Sequence, residues 1–93
     1  MFEQNLQEIS KRLTELLSKK NHDYGNSFEL ELDEYGLVVY LIRLNEKLNR
    51  LKKLNKSEAK VEDEKLEDTI TDIAGYTMLL LEYIERKGLP TNK

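Results

Sequence analysis

The sequence lacks cysteine altogether and contains only one histidine among its 93 residues. The absence of cysteine excludes disulfide bonds and thiolate metal sites. We interpret the single histidine, His22, as a surface or hydrogen-bonding residue rather than as a catalyst. The sequence also has no P-loop, no GxGxxG pattern and no serine or cysteine nucleophile constellation, so the common phosphate-binding loops and nucleophilic hydrolases are not indicated.

Long apolar runs are missing as well, and no charged-then-apolar leader opens the chain, so we expect a cytoplasmic protein with no membrane partner. A net charge of -3 argues against a partner that is a long nucleic acid, although a local basic patch can still hold one nucleotide. Because 93 residues bury only a thin core, the sequence predicts a single domain over residues 1–93 that forms a homo-oligomer.

The apolar pattern predicts an all-α fold of three helices. Apolar residues at steps of three and four predict the first helix over residues 2–19, and turn-forming residues from 20 to 27 end it. Residues 28–32 fit either a short turn or a brief extended stretch. The second helix is predicted to begin with Asp33 as its N-cap. Its inward apolar stripe comprises Leu37, Leu41, Leu44, Leu48 and Leu51.

The third helix is predicted over residues 61–87 and ends at Gly88 and Pro90. Ser57 is the expected cap in the linker over residues 55–60. Because this linker is short, the last two helices should form an antiparallel hairpin core with the N-terminal helix beside it.

The apolar residues outnumber what one thin core needs, which favours oligomerisation. The surplus comprises Val38, Val39, Ile42, Met78, Leu79 and Leu81.

Three carboxylates on the third helix form an acidic stripe. Glu64, Asp68 and Asp72 stand at i, i+4 and i+8, where like charges repel on a helix unless a metal ion or a basic surface lies between them. Carboxylate oxygens are ligands that Mg²⁺ prefers, and Mg²⁺ often bridges to phosphates. The stripe therefore indicates a metal site, although a solvated charged face has the same pattern.

Three cations on the second helix form a matching basic stripe. Arg43, Lys47 and Arg50 stand at i, i+4 and i+7, and such side chains bind phosphate groups. If the two helices pack antiparallel, the acidic stripe and the basic stripe can border the same groove. Together they then predict a site that binds a metal ion and phosphate groups. The alternative is a network of salt bridges between helices. Tyr24, in the preceding turn region, can stack on a base or cover the end of the core.

Three blocks of the sequence, over residues 20–25, 43–51 and 64–76, match the patterns K-x-x-D-Y-G, R-L-x-[DE]-K-x-x-R-L and E-x-x-x-D-T-x-x-D-[LI]-A-x-Y. In these blocks the chain resembles the nucleotide modification associated domain family of the first type, which is common in phages. The family's inferred fold is similar to that of the MazG-like all-α nucleoside triphosphate pyrophosphatases. Those enzymes hold Mg²⁺ between two antiparallel helices and work as dimers or larger assemblies.

The resemblance implies roles for individual residues. Glu64, Asp68 and Asp72 correspond to the acidic helix, and Glu46 is the carboxylate offered by the preceding helix, so Mg²⁺ is the implied cofactor. The resemblance places the phosphates and the nucleotide against a set of six residues. These are Arg43, Lys47 and Arg50 at the phosphates and Lys20, Asp23 and Tyr24 closing over the nucleotide.

The chain departs from the pyrophosphatase pattern at the earlier helix, where an E-x-x-E pair is reduced to Glu46 by Arg43 and Arg50. More positive charge with fewer metal ligands favours binding over hydrolysis. We therefore expect a small nucleotide-binding protein that sequesters a phosphorylated nucleotide signal against host defence, in the host cytoplasm if it is phage-encoded. The alternatives are a Mg²⁺-dependent nucleoside triphosphate pyrophosphatase or related nucleotide-processing enzyme, and a structural helical interaction module.

Overall fold

The computed structural model of the chain describes residues 1–24, 26–56 and 60–91, and within these ranges the backbone forms four helices and no strand. The helices are α1 (Phe2–Tyr24), α2 (Ser27–Tyr35), α3 (Val38–Asn55) and α4 (Lys60–Lys87). The all-α prediction is confirmed, whereas the prediction of three helices is wrong because residues 27–35 form a helix of their own. In the same part of the chain, no helix combines the length and apolar character needed to cross a bilayer.

The first helix is longer than its sequence predicts. It continues beyond residue 19 through turn-forming residues such as Asn21 and ends at Tyr24. Helix propensities differ by only a few tenths of a kcal/mol, roughly, so an asparagine next to an established helix can continue it rather than end it. Asn26, immediately before α2, has a φ of 64°, which lies in the left-handed region that asparagine tolerates.

A glycine separates α2 from α3. Gly36 adopts a φ of 81°, and its backbone N–H donates a hydrogen bond of 2.9 Å to the carbonyl oxygen of Leu32. A left-handed conformation of this kind favours glycine and ends a helix. The predicted N-cap Asp33 therefore lies inside α2, and α3 begins at Val38 instead.

The third and fourth helices form the antiparallel pair that the sequence predicts. The hydroxyls of Tyr40 and Thr77 lie 2.8 Å apart, and the Arg50 Nε donates to the Thr69 Oγ1 at 3.3 Å. Residue numbers therefore rise along α3 as they fall along α4. The expected linker cap, Ser57, lies outside the described residues.

The end of α4 also follows the prediction. Gly88 has a φ of 80°, and its backbone N–H donates to the carbonyl oxygen of Ile84 at 2.8 Å. Basic residues occupy the last turn before it, where they interact favourably with the helix dipole.

The core lies at one end of the molecule, between α2, the start of α3 and the end of α4. Its buried side chains are Leu32, Val39, Leu80 and Tyr83, and the half-buried side chains packed on them are Phe28, Leu37, Tyr40 and Ile84. Contrary to the predicted leucine stripe, Leu41 and Leu48 are 53% and 43% exposed. The reason is that α3 directs its cations rather than these leucines toward its neighbours.

Charged residues fasten α2 to the end of α4. Arg86 pairs with Glu29, and Lys87 lies 3.1 Å from the Asp33 carboxylate. The Tyr83 hydroxyl donates to the Asp33 Oδ1 at 2.6 Å, and this hydrogen bond raises the pKa of Tyr83 above its ordinary value. This attachment holds the start of α2 beside α4, where the cavity described next is found.

Candidate functional site

An open cavity of about 350 Å³ lies where α1, the start of α2, α3 and α4 meet; we call it the central cavity. Its polar lining comprises Lys20, Asn21, Asn26, Ser27, Arg43, Lys47, Thr71 and Asp72. Its other lining residues are Leu13, Leu16, Leu17, Phe28, Gly75, Tyr76 and Leu79. The volume lies at the lower end of the range of about 300–1,000 Å³ that is typical of small-molecule sites.

A glycine sets how closely α1 approaches α4 beside the central cavity. Gly75 is buried, and a Cβ atom built on it would lie 3.2 Å from the Leu17 Cδ2. That distance is shorter than an ordinary van der Waals contact. The absence of a side chain on α4 therefore lets α1 rest against it and form one wall of the cavity.

A carboxylate of α4 lies between two lysines in the central cavity. The Asp72 Oδ2 is 3.2 Å from the Lys47 Nζ on α3, and its Oδ1 is 3.9 Å from the Lys20 Nζ on α1. The Lys47 and Asp72 side chains are only 26% and 33% exposed, so their charges are partly shielded from water. Three helices thus contribute to one charged cluster.

Arg43 joins α2, α3 and α4 at the same cavity. Its guanidinium donates a 2.6 Å hydrogen bond to the Glu31 Oε1 and lies 5.8 Å from the centre of the Tyr76 ring. Partial burial lowers the pKa of Arg43, but the hydrogen bond and the charge of Glu31 outweigh it, so the pKa is raised overall. The side chain is therefore a fixed positive charge with a set orientation.

Two aromatic rings lie beside these cations. The centres of the Phe28 and Tyr76 rings are 5.2 Å apart, and the rings are tilted by 56°. Both line the central cavity. Tilted pairs at this distance are favourable, and exposed parts of such rings are surfaces on which bases stack.

The structure brings together four of the predicted site residues, Lys20, Arg43, Lys47 and Asp72. Arg50 is not among the lining residues, because it faces Thr69 further along the α3–α4 pair. The side chains of Asp23 and Tyr24 lie outside the described part of the structure.

The predicted metal ligands are not gathered into one cluster. Glu46, Glu64 and Asp68 are exposed and do not line the central cavity, whereas Asp72 does. Among the side chains that the structure describes, no three or more His, Asp or Glu residues lie together so that they could share a metal ion. Mg²⁺ prefers oxygen ligands, and both Asp72 oxygens already face lysines. The described side chains therefore do not fit a centre of several carboxylates, and the Mg²⁺ assignment stays a prediction.

The aromatic pair and Glu31 were not among the site residues predicted from the sequence. Tyr76 follows Asp72 by one helical turn, so the i, i+4 relation places both on one face of α4 and could have identified it. Phe28 and Glu31 gave no such signal, because residues 28–32 were not predicted to be helical. Their roles depend on α2, which packs beside residues distant in sequence.

The comparison with known families gives one match. A family model described as nucleotide modification associated domain 1 matches residues 20–82, which is more than half of the 93 residues. The matched segment includes every polar residue that lines the central cavity. No curated protein and no solved structure matches the chain significantly.

Proposed function

The chain belongs to the nucleotide modification associated domain 1 family, and on that basis we propose that it binds a phosphorylated nucleotide in the central cavity. One observation carries the proposal. Three cations and two aromatic rings, the chemical groups that recognise phosphate and base, converge on one cavity of about 350 Å³. The residues are Lys20, Arg43, Lys47, Phe28 and Tyr76.

The phosphate end of the ligand binds to the cations. Arg43 presents a planar set of N–H donors suited to phosphate oxygens, and the two lysines add compact positive charges. Their carboxylate partners hold them in place before the ligand arrives, because Glu31 contacts Arg43 and Asp72 faces Lys20 and Lys47. A phosphate that enters therefore meets side chains that have already lost much of their rotational freedom.

The base end binds to the rings of Phe28 and Tyr76. Stacking of a base on an aromatic ring contributes about 1–3 kcal/mol and accepts any base, so the ring pair alone does not select one. Asn21 and Asn26 also line the cavity, and their amides can donate to and accept from base edges or ribose hydroxyls. These amides are the groups that select among bases.

Retention of the ligand, rather than turnover, is the activity that this geometry supports. The only predicted metal ligand that reaches the cavity among the described residues is Asp72, and both its oxygens face lysines. A protein of this kind acts as a sponge for a nucleotide signal, the role expected of a phage-encoded member. A MazG-like pyrophosphatase, which needs metal-activated water, and a purely structural module are the outcomes that the experiments below separate from it.

The test is calorimetric binding of a panel of nucleoside mono-, di- and triphosphates to the wild type and to two matched variants. Lys47→Gln removes a cavity charge, whereas Lys52→Gln removes an exposed charge from the same helix that does not line the cavity. We expect Lys47→Gln to bind the nucleotide roughly tenfold more weakly, because it loses one charge-assisted contact. Lys52→Gln should keep the wild-type affinity. Equal affinities of both variants for every ligand, or no binding by the wild type, would contradict the proposal.

The proposal includes association of several copies of the chain. Phe2, Leu6 and Ile9 on α1 are 74%, 51% and 42% exposed, and Ile42 and Leu81 are 52% and 60% exposed. Exposed apolar surface of this extent is typical of contacts between chains. Light scattering is expected to give a multiple of the 11.0 kDa chain mass, and a monomeric mass at micromolar concentration would overturn this part.

A further inference from the structure

The carboxylate of Asp72 is unexpected in a site that binds phosphate. It lines the central cavity, and its two oxygens lie 3.2 Å and 3.9 Å from the Lys47 and Lys20 ammonium groups. A site adapted for the largest possible negative charge would leave these lysines unneutralised. Asp72 instead repels any anion that approaches them.

The charges around the cavity give the balance that a ligand meets. Lys20, Arg43 and Lys47 contribute three positive charges, while Asp72 and the Arg43 partner Glu31 contribute two negative charges. Among the side chains that the structure describes, the surplus is one positive charge. A phosphate monoester carries about 1.5 to 2 negative charges at pH 7, and each further phosphate adds more. The surplus is therefore closer to the charge of one phosphate group than to that of a triphosphate.

The charge of a polyphosphate bound to a protein is usually neutralised by a metal ion as well as by lysine and arginine side chains. Mg²⁺ is held by one or two carboxylates together with the phosphates. Among the described residues no group of three acidic or histidine side chains could share such an ion. The Asp72 carboxylate lies between the two lysines, and its oxygens are engaged by them. Without a bound metal ion, the added phosphates of a longer chain therefore meet repulsion from the Asp72 carboxylate.

From this charge balance we infer that the central cavity selects nucleotides with a single phosphate group, and that Asp72 is the specificity-determining residue that disfavours polyphosphates. The inference rests on the proposed nucleotide-binding function and narrows it to one ligand class. The single phosphate displaces or shares the lysine contacts of Asp72, whereas additional phosphates of a longer ligand are forced toward its carboxylate.

The experiment compares a nucleoside monophosphate with the triphosphate of the same base by calorimetry, in EDTA and in Mg²⁺. The proteins are the wild type, Asp72→Asn, Asp72→Glu and, as a control, Asp68→Asn. Asp68 lies one turn before Asp72 on α4, is exposed and does not line the cavity. Circular dichroism shows whether each variant keeps its helices. Asp72→Glu replaces the side chain but keeps the negative charge, so it separates the effect of charge from that of an altered fold.

The wild type is expected to bind the monophosphate at least as tightly as the triphosphate. Removal of one repulsive, partly shielded charge in Asp72→Asn should strengthen triphosphate binding roughly tenfold and monophosphate binding by much less. Asp72→Glu and Asp68→Asn should keep the wild-type preference.

A wild-type preference for the triphosphate, in EDTA or only with Mg²⁺, would overturn the inference while leaving nucleotide binding intact. Equal gains for both ligands in Asp72→Asn would overturn it in the same way. Absence of binding for every nucleotide would instead refute the proposed function, and the inference with it.

Discussion

Replacement of Gly75 by alanine tests how the central cavity is formed, because it adds one methyl group at the contact between α1 and α4. The added Cβ would lie 3.2 Å from the Leu17 Cδ2, so one of the two groups must move by a few tenths of an ångström. The Leu17 atom is the end of a flexible, half-buried side chain that borders the cavity. We expect it to rotate into the cavity rather than to push the helices apart.

Two effects of Gly75→Ala contribute to the change in the free energy of unfolding. Glycine within a helix is less favourable than alanine by about 1 kcal/mol, so Gly75→Ala stabilises α4 by that amount before any contact is counted. Rearrangement of Leu17 offsets part of the gain, and we expect the free energy of unfolding to rise by about 0.5 kcal/mol. The rotated side chain narrows the cavity at the same time, so nucleotide affinity should fall several-fold.

Urea unfolding followed by circular dichroism measures the change in the free energy of unfolding, and calorimetry measures the change in nucleotide affinity. The matched control is Gly75→Ala in a Leu17→Ala background, where the obstructing methyl is absent and the full gain of about 1 kcal/mol should appear. If Gly75→Ala lowered the free energy of unfolding by more than about 1 kcal/mol in both backgrounds, the contact with Leu17 would not be the relevant one. Stabilisation with unchanged affinity would show that the cavity is not the binding site.

Three further predictions concern the rest of the molecule. Replacement of the buried Thr69 by valine removes hydrogen bonds to Arg50 and to the Lys65 carbonyl, and should lower the free energy of unfolding by about 1 kcal/mol in urea titrations; no loss would contradict their role. Arg50→Ala should leave nucleotide affinity within twofold of wild type, roughly, because Arg50 lies outside the cavity lining, and a loss comparable to that of Lys47→Gln would restore the sequence-based phosphate assignment. The hydrogen bond from Arg86 lowers the pKa of Glu29 below its ordinary 4.5, so its contribution to stability is present above that pH and is lost as the pH falls through the lowered value. The Glu29→Gln variant should show a smaller decrease in unfolding free energy on acidification, and an identical pH dependence would contradict the prediction.

The fold could be predicted where one local rule decides the structure. Helical periodicity, the short linker over residues 55–60 and the glycine at position 88 were sufficient to predict the antiparallel pair of α3 and α4 and the end of α4. The sequence did not predict α2, because Leu30 and Leu32 alternate with acids in a pattern that also fits a strand. What stabilises α2 as a helix is its packing on α3 and its polar contacts with the end of α4, between residues 50 or more positions apart.

The candidate site was predicted only in part, because local spacing rules again identified some residues and long-range packing decided the others. Charge spacing identified Arg43, Lys47 and Asp72, because residues three or four apart share one helix face. Spacing does not reveal how the whole face is rotated. The stripes continue along both helices, and Arg50 and Asp68 therefore fall beyond the cavity, which occupies only the part of the groove that α1 and α2 reach. Where α1 contacts α4 depends on the side chain of Leu17 and the missing side chain of Gly75, a match that periodicity cannot show.

The most direct test of the central claim is to incubate the purified protein with the nucleotide panel, with and without Mg²⁺, and to analyse the filtrate by chromatography before and after heat denaturation. If the protein binds a nucleotide without turnover, the nucleotide disappears from the filtrate and returns chemically intact when the protein is denatured, and Lys47→Gln retains much less of it. Conversion of a triphosphate to monophosphate and pyrophosphate would contradict retention without turnover. A filtrate unchanged for every compound would contradict nucleotide binding itself.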